Sequence, residues 1–250
     1  MANTAKEFAN KVWFTGIIDR LKLAERCDVF VDIGVGIKDS EAWIVSAAGF
    51  DNNRILGFEP HEKRYEQLKN IYPGSLFNEA VSAQDCILVG SSGDDFIAAT
   101  MSNSDKNLDS DKYVTGAIKS TSVDSILATI NAQCACVWAD VEGSEYDIVL
   151  GACRSLMFSK IGVIFLELRN HPSTYFIVNF LSKFGYFPVG TSGLASFSKD
   201  LGCGGYIQRL WLQPGEHADV VFMKMQEIDL DSFYFDISEE NPSNIVKDTI

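Results

Sequence analysis

The sequence predicts an α/β domain, built on a mostly parallel β-sheet with helices on both faces. Short apolar runs alternate about five times with segments of helical periodicity along the chain. The runs are continuously apolar, which is typical of strands buried on both faces of a parallel sheet. Several of them end in glycine or in an acidic residue, and such sheets bind ligands at the carboxyl ends of their strands.

The first half of the chain begins with helical periodicity and continues with alternating strands and helices. Residues 1–27 carry apolar side chains at helical spacing and form a predicted N-terminal helical segment. The strand 29–31 follows and ends in the turn Asp32-Ile-Gly34-Val-Gly36. The further predicted elements are the helix 41–48, the strand 54–58, the helix 61–70, the strand 75–81 and the strand 86–89.

The second half repeats this alternation after a polar segment. Residues 91–112 are dense in Ser, Asp and Asn, which predicts a loop or flap beside the site. Ser122 is a predicted helix N-cap. The further predicted elements are the helix 122–127, the strand 134–139, the helix 144–156, the strand 161–168, the helix 175–184 and the strands 186–189 and 220–225. The predicted domain covers residues 28–226, and residues 227–250 form an acidic tail.

Composition and charge exclude several classes of function. The chain has 250 residues, of which 46% are hydrophobic, so it is not wholly disordered. A formal net charge of −13 makes nucleic acids and anionic membrane surfaces poor partners. The sequence shows neither a long apolar segment nor a signal-peptide pattern, which predicts a cytoplasmic protein outside the membrane. Its six cysteines lack zinc spacing and are predicted to be reduced core thiols.

The ends of the first two strands carry candidate binding residues. Asp32 stands two positions before Gly34, and a carboxylate there suits a ligand with an ammonium group. Gly34 and Gly36 let the backbone turn sharply and approach a ligand closely. Glu59 directly follows the second strand, where a carboxylate can accept both hydroxyls of a ribose. The alternatives are an ordinary glycine turn after the first strand and a solvated loop position for Glu59.

The glycine turn and the third strand end leave alternatives open. In this architecture the third corner usually holds an adenine, with Val81 on the ring and Ser82 or Asp85 on its amino group. The alternative is an ordinary strand end. A dinucleotide site has the pattern G-x-G-x-x-G, and the third glycine is missing after Gly36. The pattern therefore argues against a nicotinamide-dependent oxidoreductase.

The ends of the fourth and fifth strands carry the candidate catalytic residues. Asp140 follows a buried run, and Glu167 and His171 stand beside it at the same predicted sheet edge. Asp140, Glu142 and Glu145 lie within six residues, and carboxylates this close repel each other unless they are solvated, paired or bound to a cation. Asp140, Glu167 and Asn170 would offer oxygen ligands to a cation such as Mg²⁺. The alternatives are a solvated loop position for His171 and a helix-capping role for Glu142 and Ser144.

Six segments, taken in order, carry a family resemblance. They are Val29-Phe-Val-Asp-Ile-Gly34, Gly57-Phe-Glu-Pro60, Asn78-Glu-Ala-Val-Ser82, Thr121-Ser-Val-Asp-Ser-Ile-Leu127, Asp140-Val-Glu-Gly-Ser-Glu145 with Leu150-Gly-Ala152, and Ile164-Phe-Leu-Glu167. With these segments the chain resembles the FkbM-type methyltransferases, which use S-adenosylmethionine. The Asp-Val-Glu-Gly-x-Glu segment is the most specific of the six. The resemblance covers roughly residues 28–190.

The resemblance implies a Rossmann-like class I methyltransferase fold. Its sheet would have seven strands, mostly parallel, with one antiparallel edge strand and helices on both faces. The cofactor would be S-adenosylmethionine, bound along the strand ends. The resemblance implies that Asp32, Gly34 and Gly36 line the methionine part of the cofactor and that Glu59 holds the ribose. It implies that Val81 and Ser82 line the adenine and that Asp140 lies near the sulfonium.

Two departures from the family pattern affect the functional hypothesis. The family commonly has a glycine where Lys38 stands and a lysine where Trp138 stands. The leading hypothesis is O-methylation of a hydroxyl on a small molecule or glycan-like acceptor, with His171 or Asp140 as the base and Glu167 beside them. In a metal-assisted version of this hypothesis, a divalent metal takes part in the methyl transfer. The alternative is a catalytically inactive cofactor-binding or regulatory protein of the same fold. Oligomeric state stays open.

Overall fold

The computed structural model describes residues 14–36, 41–90, 116–141, 143–169, 171–191, 196–202, 205–211 and 217–224. Its helices are α1 (residues 14–21), α2 (Leu23–Arg26), α3 (Glu41–Ala47), α4 (Glu62–Leu68), α5 (Val123–Thr129), α6 (Glu145–Leu150), α7 (Cys153–Met157) and α8 (Pro172–Lys183), with a 3₁₀ turn at Asn52–Arg54. Its strands are β1 (Val29–Ile33), β2 (Ile55–Phe58), β3 (Ser75–Phe77), β4 (Ala80–Val81), β5 (Cys86–Gly90), β6 (Gly116–Thr121), β7 (Ala135–Ala139), β8 (Ile161–Arg169), β9 (Tyr186–Thr191), β10 (Ser196–Gly202), β11 (Gly205–Trp211) and β12 (His217–Lys224).

In the described part of the chain, seven strands form the central sheet in the order β3-β2-β1-β7-β8-β12-β9. The pairs from β3 to β8 are parallel, whereas β12 is antiparallel to both of its neighbours. The predicted mostly parallel α/β fold is thus confirmed. The antiparallel strand lies second from the edge, so its expected place at the edge is wrong. After β9 the chain forms the β10–β11 hairpin, and it then enters the central sheet again as β12, between β8 and β9.

Two predicted elements are divided in the structure. The strand predicted at 75–81 splits because Asn78 turns the chain. Strand β3 stays in the central sheet, whereas β4 joins β6 and β5 in a separate sheet. The helix predicted at 144–156 splits into α6 and α7 at Gly151. A Cβ added at Gly151 would lie 2.2 Å from the carbonyl oxygen of Ser82, so the backbone itself packs there.

Strand β6 and the β10–β11 hairpin were not among the predicted elements. Residues 116–121 contain one large apolar side chain, Ile118, so the sequence shows no strand-like apolar run there. The hairpin reverses between Gly202 and Gly205, which pair with each other. Helix α8 begins at Pro172, three residues before the predicted start.

Several predictions fall outside the described residues. These are the flap at 91–112, the acidic tail, residues 1–13 of the N-terminal segment, and the side chains of Lys38, Glu142 and Asn170. The domain boundaries therefore remain predictions. Within the described ranges, no helix is both long and apolar enough to cross a membrane.

Two apolar clusters cover the two faces of the central sheet. On one face, Phe14 of α1 packs edge-on against Trp138 and Phe165, with ring centroids 4.6 Å and 5.1 Å away. Trp138 is 4% exposed and lies 5.2 Å from the Phe165 ring. An aromatic cluster therefore fills the position at which the family commonly has a lysine, and it anchors α1 to the sheet.

Candidate functional site

The strand register lines up acidic residues at the carboxyl edge of the central sheet. Ile33, the last residue of β1, pairs with the last residues of β2 and β7, and the last residue of β7 pairs with Leu166 of β8. Strand β12 runs in the opposite direction and begins at this edge. The residues one step further along form the carboxyl-edge row, which consists of Glu59, Gly34, Asp140, Glu167 and Asp219.

The carboxyl groups next to the centre of this row share one face of the sheet. Side chains alternate between the two faces along a strand. Asp140 stands two residues after Trp138, and Glu167 two residues after Phe165. Both therefore project toward the face that α1 covers. Asp219 pairs directly with Glu167 across the β8–β12 ladder and lies on the same face.

Asp140 and Glu167 form a hydrogen-bonded carboxyl pair. Glu167 is 9% exposed, and its Oε2 lies 3.5 Å from Nη2 of Arg169. The pKa of Glu167 is raised to about 9, chiefly by burial, then by the charges of Asp140 and Asp219 and by the hydrogen bond to Asp140. At neutral pH Glu167 therefore keeps its proton and donates a hydrogen bond to the Asp140 carboxylate. The pair carries one proton and one negative charge.

Two further glutamates face this pair. Burial raises the pKa of Glu41, the first residue of α3, well above its usual range, and the charges of Asp32, Asp219 and Asp140 add to the shift. Burial also raises the pKa of Glu145, whose Oε1 accepts a hydrogen bond from the backbone N–H of Gly143 at 3.0 Å. Burial of these acidic groups close to one another therefore raises the pKa of each of the two glutamates and favours their protonated forms.

Asp32 is held by a tyrosine from the α4–β3 connection. The Tyr72 hydroxyl donates a hydrogen bond to Asp32 Oδ2 at 3.0 Å, and Asp32 is 1% exposed. Gly57 pairs with Asp32 in the sheet, and a Cβ added there would lie 2.6 Å from the Tyr72 hydroxyl oxygen. The missing side chain at Gly57 therefore lets Tyr72 reach Asp32. Burial raises the pKa of Tyr72 far above its usual range, so its hydroxyl stays a donor.

The glycine turn after β1 packs against the end of β7. Gly34 has φ +86°, and a Cβ added there would lie 2.0 Å from the carbonyl oxygen of Asp140. Only glycine combines this backbone conformation with so close an approach. A Cβ added at Gly36, in contrast, would meet no atom within 4 Å. The first glycine thus serves packing, whereas the second leaves open space next to the turn.

Glu59 is buried at the end of β2. Its Oε1 accepts a hydrogen bond from the backbone N–H of His61 at 2.7 Å, and Asn78 Nδ2 donates to its carbonyl oxygen at 2.9 Å. Burial raises the pKa of Glu59 to about 7, and the hydrogen bond from His61 opposes the shift. Glu59 is therefore near half-ionised at neutral pH.

The third corner is built from β4 and the start of α5. Val81 is 7% exposed, and the backbone N–H of Ser82 donates to the carbonyl oxygen of Thr121 at 2.9 Å. Asp85 accepts hydrogen bonds from the Ser122 N–H at 2.7 Å and from the Ser125 hydroxyl at 2.6 Å, and the latter bond lowers its pKa. The Asp85 carboxylate is thus already engaged at the helix end. Ser122 is the N-cap of α5, as predicted.

The structure places His171 at the N-terminus of α8. Its Nδ1 accepts a hydrogen bond from the Ser173 N–H at 3.3 Å, and the ring is exposed. His171 is therefore a helix cap. Ser144 makes no side-chain hydrogen bond as the N-cap of α6. Among the described residues, no group of three or more His, Cys, Asp or Glu side chains is arranged to hold a metal ion.

Sequence reasoning missed three residues of this site: Glu41, Tyr72 and Asp219. Asp219 had a usable signal, because an acidic residue at the start of an antiparallel strand lies at the same edge as the carboxyl ends of the parallel strands. Glu41 stands in the first helical turn after the glycine segment, where an acidic residue is ordinary. Tyr72 has no local signal, because its contact with Asp32 spans 40 positions.

The shared proton of Glu167 predicts an unusual pH dependence of stability. Between its unfolded pKa of about 4.3 and about 9, the folded protein holds a proton that the unfolded chain has released. Raising the pH across this window therefore favours unfolding. We expect the free energy of unfolding of the ligand-free protein to fall by at least about 1 kcal/mol between pH 6 and pH 9, which lowers Tm by roughly 2–4 °C. Thermal melts at both pH values measure it.

Glu167→Gln keeps the shape and the hydrogen-bond donor but cannot ionise. We expect this variant to be more stable than the wild type at pH 9 and to show a smaller difference between the two pH values. Glu62→Gln, at an exposed position of α4, is the control and should melt as the wild type does. An unchanged pH dependence in Glu167→Gln would contradict the shared-proton assignment.

With the geometry described, the strand order and the carboxyl-edge row define a class I methyltransferase-like fold. The family model of the FkbM methyltransferase domain matches residues 28–188, about two thirds of the chain. The chain therefore belongs to the FkbM methyltransferase domain family, a family of S-adenosylmethionine-dependent methyltransferases. No curated protein sequence matches the chain.

Solved structures with similar architecture are distant in sequence. An FkbM methyltransferase from Methylobacillus flagellatus is 15% identical, with 78% of this chain and 43% of that chain covered and a TM-score of 0.47. A precorrin-6y C5,15-methyltransferase from Geobacter metallireducens is 15% identical, with 83% and 86% covered and a TM-score of 0.40. A SAM-dependent O-methyltransferase from Thermotoga maritima is 8% identical, with 84% and 64% covered and a TM-score of 0.40. The chain spans less than half the length of the Methylobacillus protein. The family model shows the family of this chain, and the strand order of the central sheet shows its fold.

Proposed function

We propose that this protein transfers a methyl group from S-adenosylmethionine to a hydroxyl of a small-molecule or glycan-like acceptor. The observation that carries the proposal is the hydrogen-bonded carboxyl pair of Asp140 and Glu167 next to the glycine turn, in which the raised pKa of Glu167 favours a proton on that side chain. Attack by a hydroxyl on a methyl group benefits from a base that removes the hydroxyl proton. A carboxylate that is fixed by a protonated neighbour suits this task.

The residues along the carboxyl edge fit the chemistry of the cofactor. It supplies a methyl group already activated on a sulfonium, together with an ammonium group, a ribose and an adenine. Asp32, fixed by Tyr72, would pair with the ammonium group. Glu59 would accept the ribose hydroxyls, and the Gly34–Gly36 turn would leave room beside them. The adenine would lie at the Val81–Ser82 corner.

In this proposal Asp140 is the base and Glu167 positions it. The Glu167 proton fixes one oxygen of Asp140, and the other oxygen accepts the proton of the acceptor hydroxyl as it attacks. His171, proposed from sequence as the other base, has its Nδ1 engaged in capping α8. We therefore assign the base to Asp140 and retain His171 for comparison. Alignment of the nucleophile and exclusion of water supply the rest of the acceleration.

The packing of Trp138 favours a second candidate function. A family lysine is replaced by an aromatic side chain enclosed by Phe14 and Phe165, so any role of that cation is lost. A cofactor-binding or regulatory protein without methyl transfer is the alternative that this observation supports. It predicts the same cofactor binding and no product.

Ligand titrations followed by turnover assays distinguish these functions. S-adenosylmethionine and S-adenosylhomocysteine, each at about 100 times its Kd, should stabilise the fold by roughly 2.7 kcal/mol, and NAD should not. The second assay measures S-adenosylhomocysteine release with panels of hydroxyl, amine and thiol acceptors, with and without a chelator. Release of S-adenosylhomocysteine with hydroxyl acceptors supports the proposal. Loss of this release in the presence of chelator supports the metal-assisted version of the hypothesis. Binding without release from any panel supports the non-catalytic alternative.

Glu59→Gln is expected to weaken S-adenosylhomocysteine binding by about 10–100-fold, because hydrogen bonds to a charged carboxylate are each worth about 1.5–3 kcal/mol. Since the pKa of Glu59 is raised to about 7, wild-type affinity should fall as the pH drops from 8 to 6, when the carboxylate is protonated. The variant should lack this pH dependence. Isothermal titration calorimetry measures both effects.

The matched control is Glu79→Gln, at the next strand end, where the carboxylate lies 2.6 Å from Lys119 Nζ. It should bind the ligand as the wild type does. Equal affinity of Glu59→Gln and Glu79→Gln at pH 8 would remove Glu59 from the ribose site.

A further inference from the structure

Two cysteine thiols are in contact at the amino end of the central sheet, far along the strands from the carboxyl-edge row. The Sγ atoms of Cys27, at the end of α2, and Cys134, just before β7, lie 3.7 Å apart. Asp28 N donates to the carbonyl oxygen of Cys134 at 2.6 Å, and Cys134 N donates to Asp28 Oδ2 at 2.9 Å. Arg54 Nη2 donates to the Cys27 carbonyl. Backbone contacts therefore hold the two thiols side by side.

The neighbouring strand leaves space for both sulfur atoms. Ala135 pairs with Ile161 and Cys136 with Val163, so Gly162 is the extra residue of a β-bulge. A Cβ added at Gly162 would lie 2.8 Å from Cys134 Sγ and 3.6 Å from Cys27 Sγ. Any other residue would crowd the thiols, so the bulge and its glycine keep the pair accommodated.

We propose that Cys27 and Cys134 form a dithiol site that a peroxide oxidises to a disulfide. A disulfide has an S–S distance of about 2.05 Å, so the sulfur atoms must approach by less than 2 Å from their 3.7 Å separation. Side-chain rotation between rotamers moves a sulfur atom by this amount. The reaction is independent of the proposed methyl transfer.

The exposure of the two thiols sets the order of the steps. Cys27 is 2% exposed, whereas Cys134 is partly exposed. The hydrogen bond to Cys134, and then burial, raise the pKa of Cys27 far above its usual range. The Cys134 sulfur therefore attacks one peroxide oxygen and the O–O bond breaks. The departing hydroxide takes up the Cys134 thiol proton and leaves as water, and Cys134 becomes a sulfenic acid. The Cys27 sulfur then displaces the hydroxyl group, which leaves as a second water with the Cys27 proton. The two thiols together lose two protons and two electrons, which reduce the peroxide to two waters.

The disulfide would join α2 to the start of β7 across 107 positions of the chain. Closing a loop of about this length constrains the unfolded chain strongly. Oxidation should therefore raise Tm, by roughly 5 °C or more for a chain of this size. It would also fix the helical segment that carries Phe14 over Trp138.

The test treats the full-length protein with hydrogen peroxide under non-denaturing conditions. Alkylation and peptide mapping without reductant then identify the linked cysteines, and thermal melts before and after dithiothreitol measure the shift. We expect one Cys27–Cys134 cross-link, two of the six thiols lost, and a rise in Tm that reductant reverses. Peptide mapping of the wild type needs no folded variant.

Cys134→Ser and Cys153→Ser provide matched controls, since both cysteines are partly exposed and only one belongs to the pair. Cys153→Ser should keep the reversible Tm rise and Cys134→Ser should lose it. Over-oxidation of Cys134 without a cross-link would overturn the proposal. A predominant cross-link of Cys134 to Cys136, or to any other cysteine, would overturn it as well.

Discussion

Asp140→Asn is expected to lower kcat by about 10²–10⁴-fold, the usual contribution of a general base. The asparagine side chain keeps the shape of the aspartate and still accepts the hydrogen bond from Glu167, but it cannot take up a proton. Turnover at saturating S-adenosylmethionine, with the acceptor that the panel identifies, measures the effect. Because the variant retains the Glu167 contact, the fold should be preserved.

Three comparisons make the Asp140 result specific. S-adenosylhomocysteine should bind Asp140→Asn within a fewfold of wild-type affinity, so that the loss falls on turnover. Asp147→Asn, at a half-buried position of α6, should keep kcat within about twofold. His171→Ala should lose only the stability of a helix cap, about 0.5–2 kcal/mol. A kcat of Asp140→Asn close to the wild-type value, or a larger loss in His171→Ala, would move the base away from Asp140.

The parallel sheet was predictable because each buried strand is a short apolar run with a clear stop. Val29–Ile33 and Ile161–Arg169 show this most plainly, and both lie in the centre of the sheet. The second sheet was not predictable in the same way. Strand β6 has little apolar content, and β4 is two residues long, so their pairing depends on tertiary contacts. Local pattern identifies buried strands and misses those that a neighbour stabilises.

The candidate site was partly predictable for a geometric reason. Parallel strands end at one edge, so Glu59, Asp140 and Glu167 could be placed together from their positions after apolar runs. The protonation of these side chains could not be predicted from the sequence, since it depends on how many carboxyl groups the fold buries together. Asp219 reaches the cluster from an antiparallel strand, and its charge contributes to the raised pKa of Glu167. Glu41 reaches the cluster from a helix, where burial and the neighbouring carboxylates raise its own pKa. The sequence identified the carboxylates, whereas the structure identified the shared proton.

The excess of buried carboxyl groups also gives the site a way to respond to its cofactor. S-adenosylmethionine carries a sulfonium and an ammonium group, and positive charge near the cluster favours the ionised forms of its protonated acids, Glu167 among them. Binding in the proposed site should therefore release protons at neutral pH.

Gly34→Ala is expected to destabilise the fold by about 2–5 kcal/mol, since overpacking costs about 1–3 kcal/mol and a left-handed backbone about 1–2 kcal/mol more. The added Cβ would lie 2.0 Å from the Asp140 carbonyl oxygen at a residue with φ +86°. Either the glycine turn or the end of β7 must move. The thermal midpoint should fall by roughly 5–15 °C.

Gly36→Ala is the matched control for the same turn, because its Cβ would meet no atom within 4 Å. It should melt within about 2 °C of the wild type, and its effect should fall on S-adenosylhomocysteine affinity, since the proposed ligand occupies that space. Gly34→Ala, in contrast, should lose both stability and binding, because the displaced backbone carries Asp140. If the two variants melted alike, the close approach between the turn and the end of β7 would not be what requires glycine at position 34.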